Sequence, residues 1–171
     1  MKAVGYFETL PASHPESLVD LELPPPQPGA RDLLVRVGAV SVNPVDTKIR
    51  QVRAPQPGQA EVLGWDAVGT VVAIGDEVQD FAPGDRVWYA GAIDRPGSNA
   101  EFQVVDERIV AKAPARLDDA QAAALPLTAI TAWEMVFDRL QIPRAGSAED
   151  STVLVTGAAG GVGSVMIQLL R

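Results

Sequence analysis

Short stretches of alternating apolar and polar residues run through the first two thirds of the chain. Leu33, Val35 and Val37 fall on one face of such a stretch, while Arg36 falls on the other. Proline and glycine clusters such as Pro83-Gly84 separate the stretches and mark tight turns. The pattern predicts strands at 3–7, 18–23, 33–42, 67–74, 86–90, 100–105 and 109–112, with an exposed loop at 54–58. Many short strands joined by turns indicate a β-rich domain, either a barrel or a sandwich.

The apolar period changes after Pro114. Asp118 and Gln121 have the spacing of a capping box, and the alanine-rich run after them favours a helix that Pro126 interrupts. A second helix is predicted from Thr128, because its apolar residues recur at intervals of three and four. We assign that stripe to a protein core rather than to a binding groove: Ile130, Trp133, Val136, Phe137 and Leu140. Residues 142–150 read as a polar linker.

A glycine-rich turn follows an uncharged run at 152–156, which predicts a buried strand, a turn and a helix. In dinucleotide-binding folds the first glycine allows the turn, the second admits a pyrophosphate and the third lets helix and strand pack closely. The candidate cofactor-binding residues are Gly157, Ala158, Gly160, Gly161, Val162 and Gly163. Two alternatives stay open: the same elements without a ligand, and a membrane helix across the uncharged residues 151–170.

Composition narrows the possible functions. The chain has 171 residues, a net charge of −8 and a pI near 4.6, which argues against binding to nucleic acid or to an anionic membrane surface. It has no cysteine, and His14 is its single histidine, so a zinc site would rest almost wholly on carboxylates. Glu8 interrupts any signal-peptide core, and we therefore expect a cytoplasmic protein acting on a small molecule.

Five segments stand in a particular order before the glycine turn: S-V-N-P-V-D from 41, G-W-D-A-V-G from 64, F-A-P-G-D-R-V from 81, N-A-E-F from 99, and L-P-L-T-A-I-T-A-W from 125. Together they resemble the medium-chain dehydrogenase/reductase superfamily and, within it, the zinc-free quinone oxidoreductase branch. The resemblance implies a mainly β GroES-like domain, a partly open barrel, at 1–125. Helices and the first strand-turn-helix of an incomplete Rossmann α/β domain follow at 126–171.

The resemblance also implies a metal-free active site in a cleft between the two domains. Zinc-dependent members carry a cysteine at the place of Asn43 and a histidine at the place of Trp65, and both are replaced here. Without a Lewis acid, hydride addition to a quinone or conjugated enone or alkenal is favoured, because hydrogen-bond donors can support the delocalised anion. The implied cofactor is NADPH in preference to NADH, with pro-R hydride delivery. A zinc-dependent alcohol dehydrogenase is the less favoured alternative.

Three candidate catalytic residues follow from the same resemblance. Asn43 is an amide donor near the substrate or the nicotinamide, Asp46 orients the site, and Thr131 lies beside the nicotinamide carboxamide. A structural role as a turn former is the alternative for Asn43. Asp66 is expected to support a loop, and two roles stay open for Trp65: lining the substrate cleft or filling the lost ligand position. Tyr89 is expected to pack with a wetted hydroxyl, and His14 to be solvated.

A complete dinucleotide site needs a second Rossmann strand, which these residues do not include. In the family, a segment from the far C-terminus also completes the β domain, and the full-length enzymes are implied to be homodimers. We therefore expect the 171 residues alone to bind NADPH weakly and to turn over little. The alternative function is a non-catalytic module that self-associates or docks through residues 152–171.

Overall fold

The computed structural model describes residues 1–144 and 152–171. They form two compact units, Met1–Ala124 and Leu125–Arg171. The first unit contains all the strands in the described part of the chain, and the described residues of the second unit form helices, turns and irregular segments.

The first unit is built from two antiparallel sheets. One has the order β2-β1-β4 and the other the order β7-β3-β5-β6-β8. The strands are β1 (Lys2–Tyr6), β2 (Val19–Glu22), β3 (Asp32–Ser41), β4 (Glu61–Val62), β5 (Asp66–Ile74), β6 (Arg86–Tyr89), β7 (Phe102–Asp106) and β8 (Val110–Lys112). Helix α1 (Pro44–Val52) follows β3, and helix α2 (Asp119–Ala123) follows β8.

Alternate residues of the five-stranded sheet form the main core. Leu33 and Val35 on β3 pack with Ala67 and Val71 on β5, joined by Val87, Tyr89 and Val105. The period-two pattern read from the sequence produces this face, because successive side chains of a strand point to opposite sides. A side chain at Gly69 would strike the backbone carbonyl of Arg36, so the close approach of β3 and β5 requires glycine at this position.

The predicted β-rich fold is confirmed, and the seven strands predicted between residues 3 and 112 all form with ends shifted by at most two residues. The loop predicted at 54–58 also lacks regular structure. Helix α1 and the two-residue strand β4 were missed. Helix α1 forms because Pro44 occupies its first turn and Asp46 receives the Asn43 N–H, while Val45 and Ile49 pack on a buried cluster.

The second unit consists of α3 (Pro126–Trp133), a π-helical continuation (Glu134–Arg139) and α4 (Gly161–Leu169). Asp118 and Gln121 form the predicted capping box of α2, and Pro126 separates α2 from α3 as predicted, but α3 begins at Pro126 and not at Thr128. The assignment of the apolar stripe to the core is wrong for most of its members. Val136 is fully buried, but Ile130, Trp133 and Leu140 are exposed, because this small unit has too few elements to cover every face of the helix.

The strand predicted at 152–156 is absent: residues 152–155 have no regular structure, and the Leu154 side chain is 89% exposed. A strand needs a neighbour for its N–H and C=O groups, and no strand in the described ranges pairs with these residues. The turn and helix after it do form. No helix in the described ranges is long and apolar enough to cross a membrane. Most of the predicted linker at 142–150 lies outside the described residues.

Candidate active site and cofactor turn

Asn43 and Asp46 meet where β3 leads into α1. Asn43 is the extended N-cap residue, and Pro44 then opens the first helical turn. Oδ2 of Asp46 accepts a hydrogen bond of 2.7 Å from the backbone N–H of Asn43. The three-residue spacing places the carboxylate over the helix N-terminus, where negative charge is favoured. The structure therefore brings two of the predicted site residues together through one capping interaction.

The side chain of Asn43 turns toward β5. Its Nδ2 donates a hydrogen bond of 2.8 Å to Oδ2 of Asp66 and a longer one, 3.4 Å, to the carbonyl oxygen of Ser41. Asn43 is 8% exposed and Asp66 is fully buried. Because carboxylate oxygens and carbonyl oxygens are acceptors, the amide nitrogen must be the atom that faces them. The sequence did not predict this pair; strand pairing of 33–42 with 67–74 was the available signal.

Burial raises the pKa of the Asp46 carboxyl group. Hydrogen bonds from the backbone N–H groups of Asn43, Asp46 and Gly64 act in the opposite direction and favour the charged form, but burial is the larger effect. The carboxylate therefore holds the start of α1 at an electrostatic cost. This geometry fits the orienting role expected of Asp46, exerted through the backbone of Asn43.

Trp65 and Tyr89 are both buried in the first unit. Trp65 packs with Tyr6 and Leu63 in a separate cluster, which matches the filler role. Tyr89 corrects the prediction of a wetted hydroxyl: the side chain is buried, and no group among the described residues hydrogen-bonds its oxygen. Burial raises the pKa of the Tyr89 hydroxyl, so it stays neutral at physiological pH. His14 is exposed, as predicted.

The residues at positions 43 and 65 do not fit a zinc ion. The Asn43 amide is committed to Asp66, and the indole of Trp65 has a donor N–H with no lone pair for a metal. Across residues 1–144 and 152–171, no three His, Cys, Asp or Glu side chains are grouped closely enough to hold a metal ion. Asn43 and Trp65 are therefore free to serve packing and hydrogen bonding alone.

The glycine turn of the second unit fits a dinucleotide phosphate. Gly157 has a φ of +66°, and its carbonyl oxygen accepts a bond of 3.0 Å from the N–H of Gly160, the N-cap of α4. A Cβ at Gly163 would lie 2.5 Å from the Gly157 oxygen and 2.7 Å from the Cα of Ala158. Only glycine therefore allows α4 to start this close to the turn. Its first N–H groups are left available to an anion.

Thr131 lies on α3 in the second unit and is exposed. Its hydroxyl donates a hydrogen bond of 2.7 Å to the carbonyl oxygen of Leu127, the residue one turn earlier. The hydroxyl proton is therefore occupied, but the oxygen can still accept a hydrogen bond. Asn43 and Asp46 thus meet in the first unit, while Thr131 and the glycine turn both belong to the second.

The family model of the alcohol dehydrogenase GroES-like domain matches residues 29–115, about half of the chain. The chain belongs to this family. It is a member of the medium-chain dehydrogenase/reductase superfamily, as its motifs predict. A zinc-type alcohol dehydrogenase-like protein of Staphylococcus aureus is 45% identical over 172 residues, which cover 100% of this chain and 51% of that protein. The 2-methylene-furan-3-one reductase of Solanum lycopersicum is 39% identical over an alignment that covers 81% of this chain and 36% of the reductase.

Solved structures share the fold. A protein of Rhizobium etli, provisionally described as a zinc-dependent alcohol dehydrogenase, is 53% identical with a TM-score of 0.91, over 100% of this chain and 50% of that one. The Escherichia coli quinone oxidoreductase complexed with NADPH is 29% identical with a TM-score of 0.79, over 98% of this chain and 48% of that one. The chain thus spans about half the length of these proteins, or less in the case of the tomato reductase.

Proposed function

We propose that the chain belongs to an NADPH-dependent oxidoreductase of the quinone oxidoreductase type. It transfers hydride to a quinone or to a conjugated enone or alkenal, without zinc. The observation that carries this proposal is the pair of residues at the family's zinc positions. An amide bonded to Asp66 and a packed indole occupy positions 43 and 65, and neither supplies a metal ligand.

The chemistry follows from the missing metal ligands. Hydride addition to a conjugated carbonyl places negative charge on an oxygen through delocalisation, and hydrogen bonds can support that charge without a Lewis acid. The named activity of the tomato relative concerns a methylene-furanone, which is a conjugated enone. The named activity of the E. coli structure concerns quinones, and that structure contains NADPH. Both names support conjugate reduction as the reaction class.

Each candidate residue has a proposed task. The backbone of residues 157–163 holds the pyrophosphate at the start of α4, and a bound nicotinamide supplies the hydride. Thr131 offers its hydroxyl oxygen to the nicotinamide carboxamide. Asn43 contacts the bound molecules, and Asp46 holds Asn43 through its backbone N–H. The preference for NADPH over NADH, the cytoplasmic location and the homodimer are parts of this proposal.

A kinetic experiment tests the proposal. NADPH oxidation is measured with 1,4-benzoquinone and with an alkenal, and NADP⁺ reduction is measured with a primary alcohol. Both assays use the 171-residue chain and the protein encoded by the full open reading frame. We expect the protein encoded by the full reading frame to show saturable turnover that a chelator does not change. We expect the 171 residues alone to show little turnover. Activity confined to alcohols and abolished by the chelator would contradict the proposal and support a zinc-dependent enzyme.

A second candidate function rests on residues 152–155. Leu154 is 89% exposed and Val153 is 37% exposed, in a segment whose sequence favours a strand. Such a segment can pair with another chain, and the 171 residues would then act as a docking module. Sedimentation velocity from low to high micromolar concentration tests this idea. A concentration-dependent mass that Leu154→Ser abolishes favours docking, and a constant monomer mass excludes self-association.

A further inference from the structure

A cavity of about 410 Å³ lies within the first unit, and none of the candidate site residues lines it. Buried parts of its wall come from β4 and β7, where Val62 and Gln103 are 7% and 4% exposed. Other lining residues are exposed and bring the cavity to the protein surface: Pro24, Gln27 and Pro96. A cavity of this size can hold a small organic molecule, and its whole lining belongs to one unit.

Gln103 brings an unsatisfied hydrogen-bond acceptor to this wall. Its Nε2 donates a hydrogen bond of 3.0 Å to the carbonyl oxygen of Pro96. Because a carbonyl oxygen can only accept, this contact fixes which end of the amide is the nitrogen. The other end, Oε1, is buried and receives no hydrogen bond from any group in residues 1–144 and 152–171. A buried acceptor without a donor is unfavourable, and an O–H or N–H group of a bound molecule would satisfy it.

Arg95 lines the same cavity and is held in place by Asp32. Nη1 and Nη2 of Arg95 donate to the two carboxylate oxygens of Asp32 at 2.9 Å and 2.8 Å, and the Arg95 side chain is 35% exposed. A guanidinium fixed by such a two-pronged pair keeps its planar face for other contacts, and this face stacks well on aromatic rings. The amino group of Met1, the other cation of the wall, donates to the Leu23 carbonyl oxygen at 2.6 Å. Cations of this kind favour an aromatic molecule over an aliphatic one.

The rest of the wall is mainly apolar, and its half-buried members are Leu23, Pro26, Phe102 and Val104. We infer that this cavity binds a small aromatic molecule that carries an O–H or N–H group, such as a phenol or an indole. The ring lies against the Arg95 guanidinium and the apolar residues, and its donor bonds Oε1 of Gln103. Such binding goes beyond the proposed hydride transfer and does not depend on it.

Two probes of similar size test the donor. Phenol has an O–H group, and toluene carries a methyl group in its place, so only phenol can donate to Gln103. Binding to the 171-residue chain and to the protein encoded by the full reading frame is followed in ¹H–¹⁵N spectra. We expect phenol to shift the amide resonances of Arg95 and of 102–104 and to leave those of 157–163 unchanged. We also expect phenol to bind the wild type more tightly than toluene does, although toluene is the more hydrophobic probe.

A substitution at position 103 tests the acceptor. Gln103→Leu keeps the approximate size of the side chain and removes Oε1. We expect the phenol dissociation constant to rise about tenfold and the toluene constant to change less than about twofold. Gln59→Leu makes the same exchange in an exposed loop outside the cavity and should change neither constant by more than about twofold. Near-ultraviolet circular dichroism checks that both variants fold, and the order of the two probes in the wild type decides the question if Gln103→Leu does not.

Several results would overturn the inference. Tighter binding of toluene than of phenol to the wild type, or an equal loss of both probes in Gln103→Leu, would show that Oε1 accepts no bond from the ligand. Phenol shifts that spare 102–104 would place the probe elsewhere. No shifts up to the solubility of phenol would mean that the cavity takes no aromatic molecule and that a buried water satisfies Oε1.

Discussion

The two units differ in whether their predicted strands find hydrogen-bonding partners within the same unit. In the first unit, every predicted strand finds an antiparallel partner within Met1–Ala124, and the sheet buries a continuous apolar face. In the second unit, the segment best suited to a strand has no partner in the described ranges, and its Leu154 faces solvent. Partners in the first unit can be distant in sequence, as Asp32 of β3 and Asp106 of β7 are, but both lie within Met1–Ala124. A strand predicted from local pattern therefore forms in the first unit, where partner strands are present, and not in the described part of the second.

The largest expected effect compares a leucine from each unit. Leu33→Ala removes a fully buried side chain from the β core, and we expect it to lower the free energy of unfolding by about 3 kcal/mol. Leu154→Ala alters an exposed side chain, so we expect a change within about 0.5 kcal/mol. Urea denaturation followed by tryptophan fluorescence measures both. Equal losses in the two variants would show that 152–155 is packed in solution.

A smaller effect is expected at the glycine turn. Gly163→Ala forces a methyl group against Gly157 and Ala158, so we expect the start of α4 to shift at a cost of about 2 kcal/mol to the second unit. Ser164→Ala, at the next position, is the matched control on the exposed side of the same helix. Amide hydrogen exchange reads each unit separately. Faster exchange in the β core as well as in α4 would mean that the two units unfold together.

A pH-dependent effect is expected at Asp46. The pKa of the Asp46 carboxyl is raised in the folded protein, so the folded state binds this proton more tightly than the unfolded chain does. The free energy of unfolding therefore falls as the pH rises from the unfolded-state pKa through the raised folded-state pKa. Asp46→Asn keeps an acceptor for the Asn43 N–H and carries no charge. We expect the variant to be more stable than the wild type at pH 7 and the difference to disappear near pH 3. If the variant is more stable by the same amount at every pH, the stabilisation comes from packing and not from the removal of a charge.

The smallest expected effect concerns Tyr89. Its buried hydroxyl has no hydrogen-bond partner among the described residues, so Tyr89→Phe removes an unsatisfied group from the β core. We expect the unfolding free energy to stay equal or to rise by up to about 1 kcal/mol. Thermal and urea unfolding of the variant check this expectation. A clear loss of stability would show that the hydroxyl has a partner in solution, such as a buried water.

Prediction from the sequence succeeded for elements whose pattern lies within a single segment of the chain. The alternation around Leu33 and the spacing of Asp118 and Gln121 were enough to predict β3 and the start of α2. Helix α1 was missed although Asn43, Pro44 and Asp46 have the spacing of a helix start, because these residues also read as a family motif. The bond from Asn43 to Asp66 required the register of two strands, which no local pattern contains. The strand predicted at 152–156 did not form because its sequence favours a strand but no strand in the described ranges pairs with it.

The bond between Asn43 and Asp66 also constrains how this sequence can change over evolutionary time. A single replacement at either position removes the hydrogen bond of 2.8 Å between two buried side chains, and selection removes such intermediates when they destabilise the fold. The two positions should therefore covary among relatives that lack zinc ligands. They should diverge independently in lineages where position 43 takes up another task.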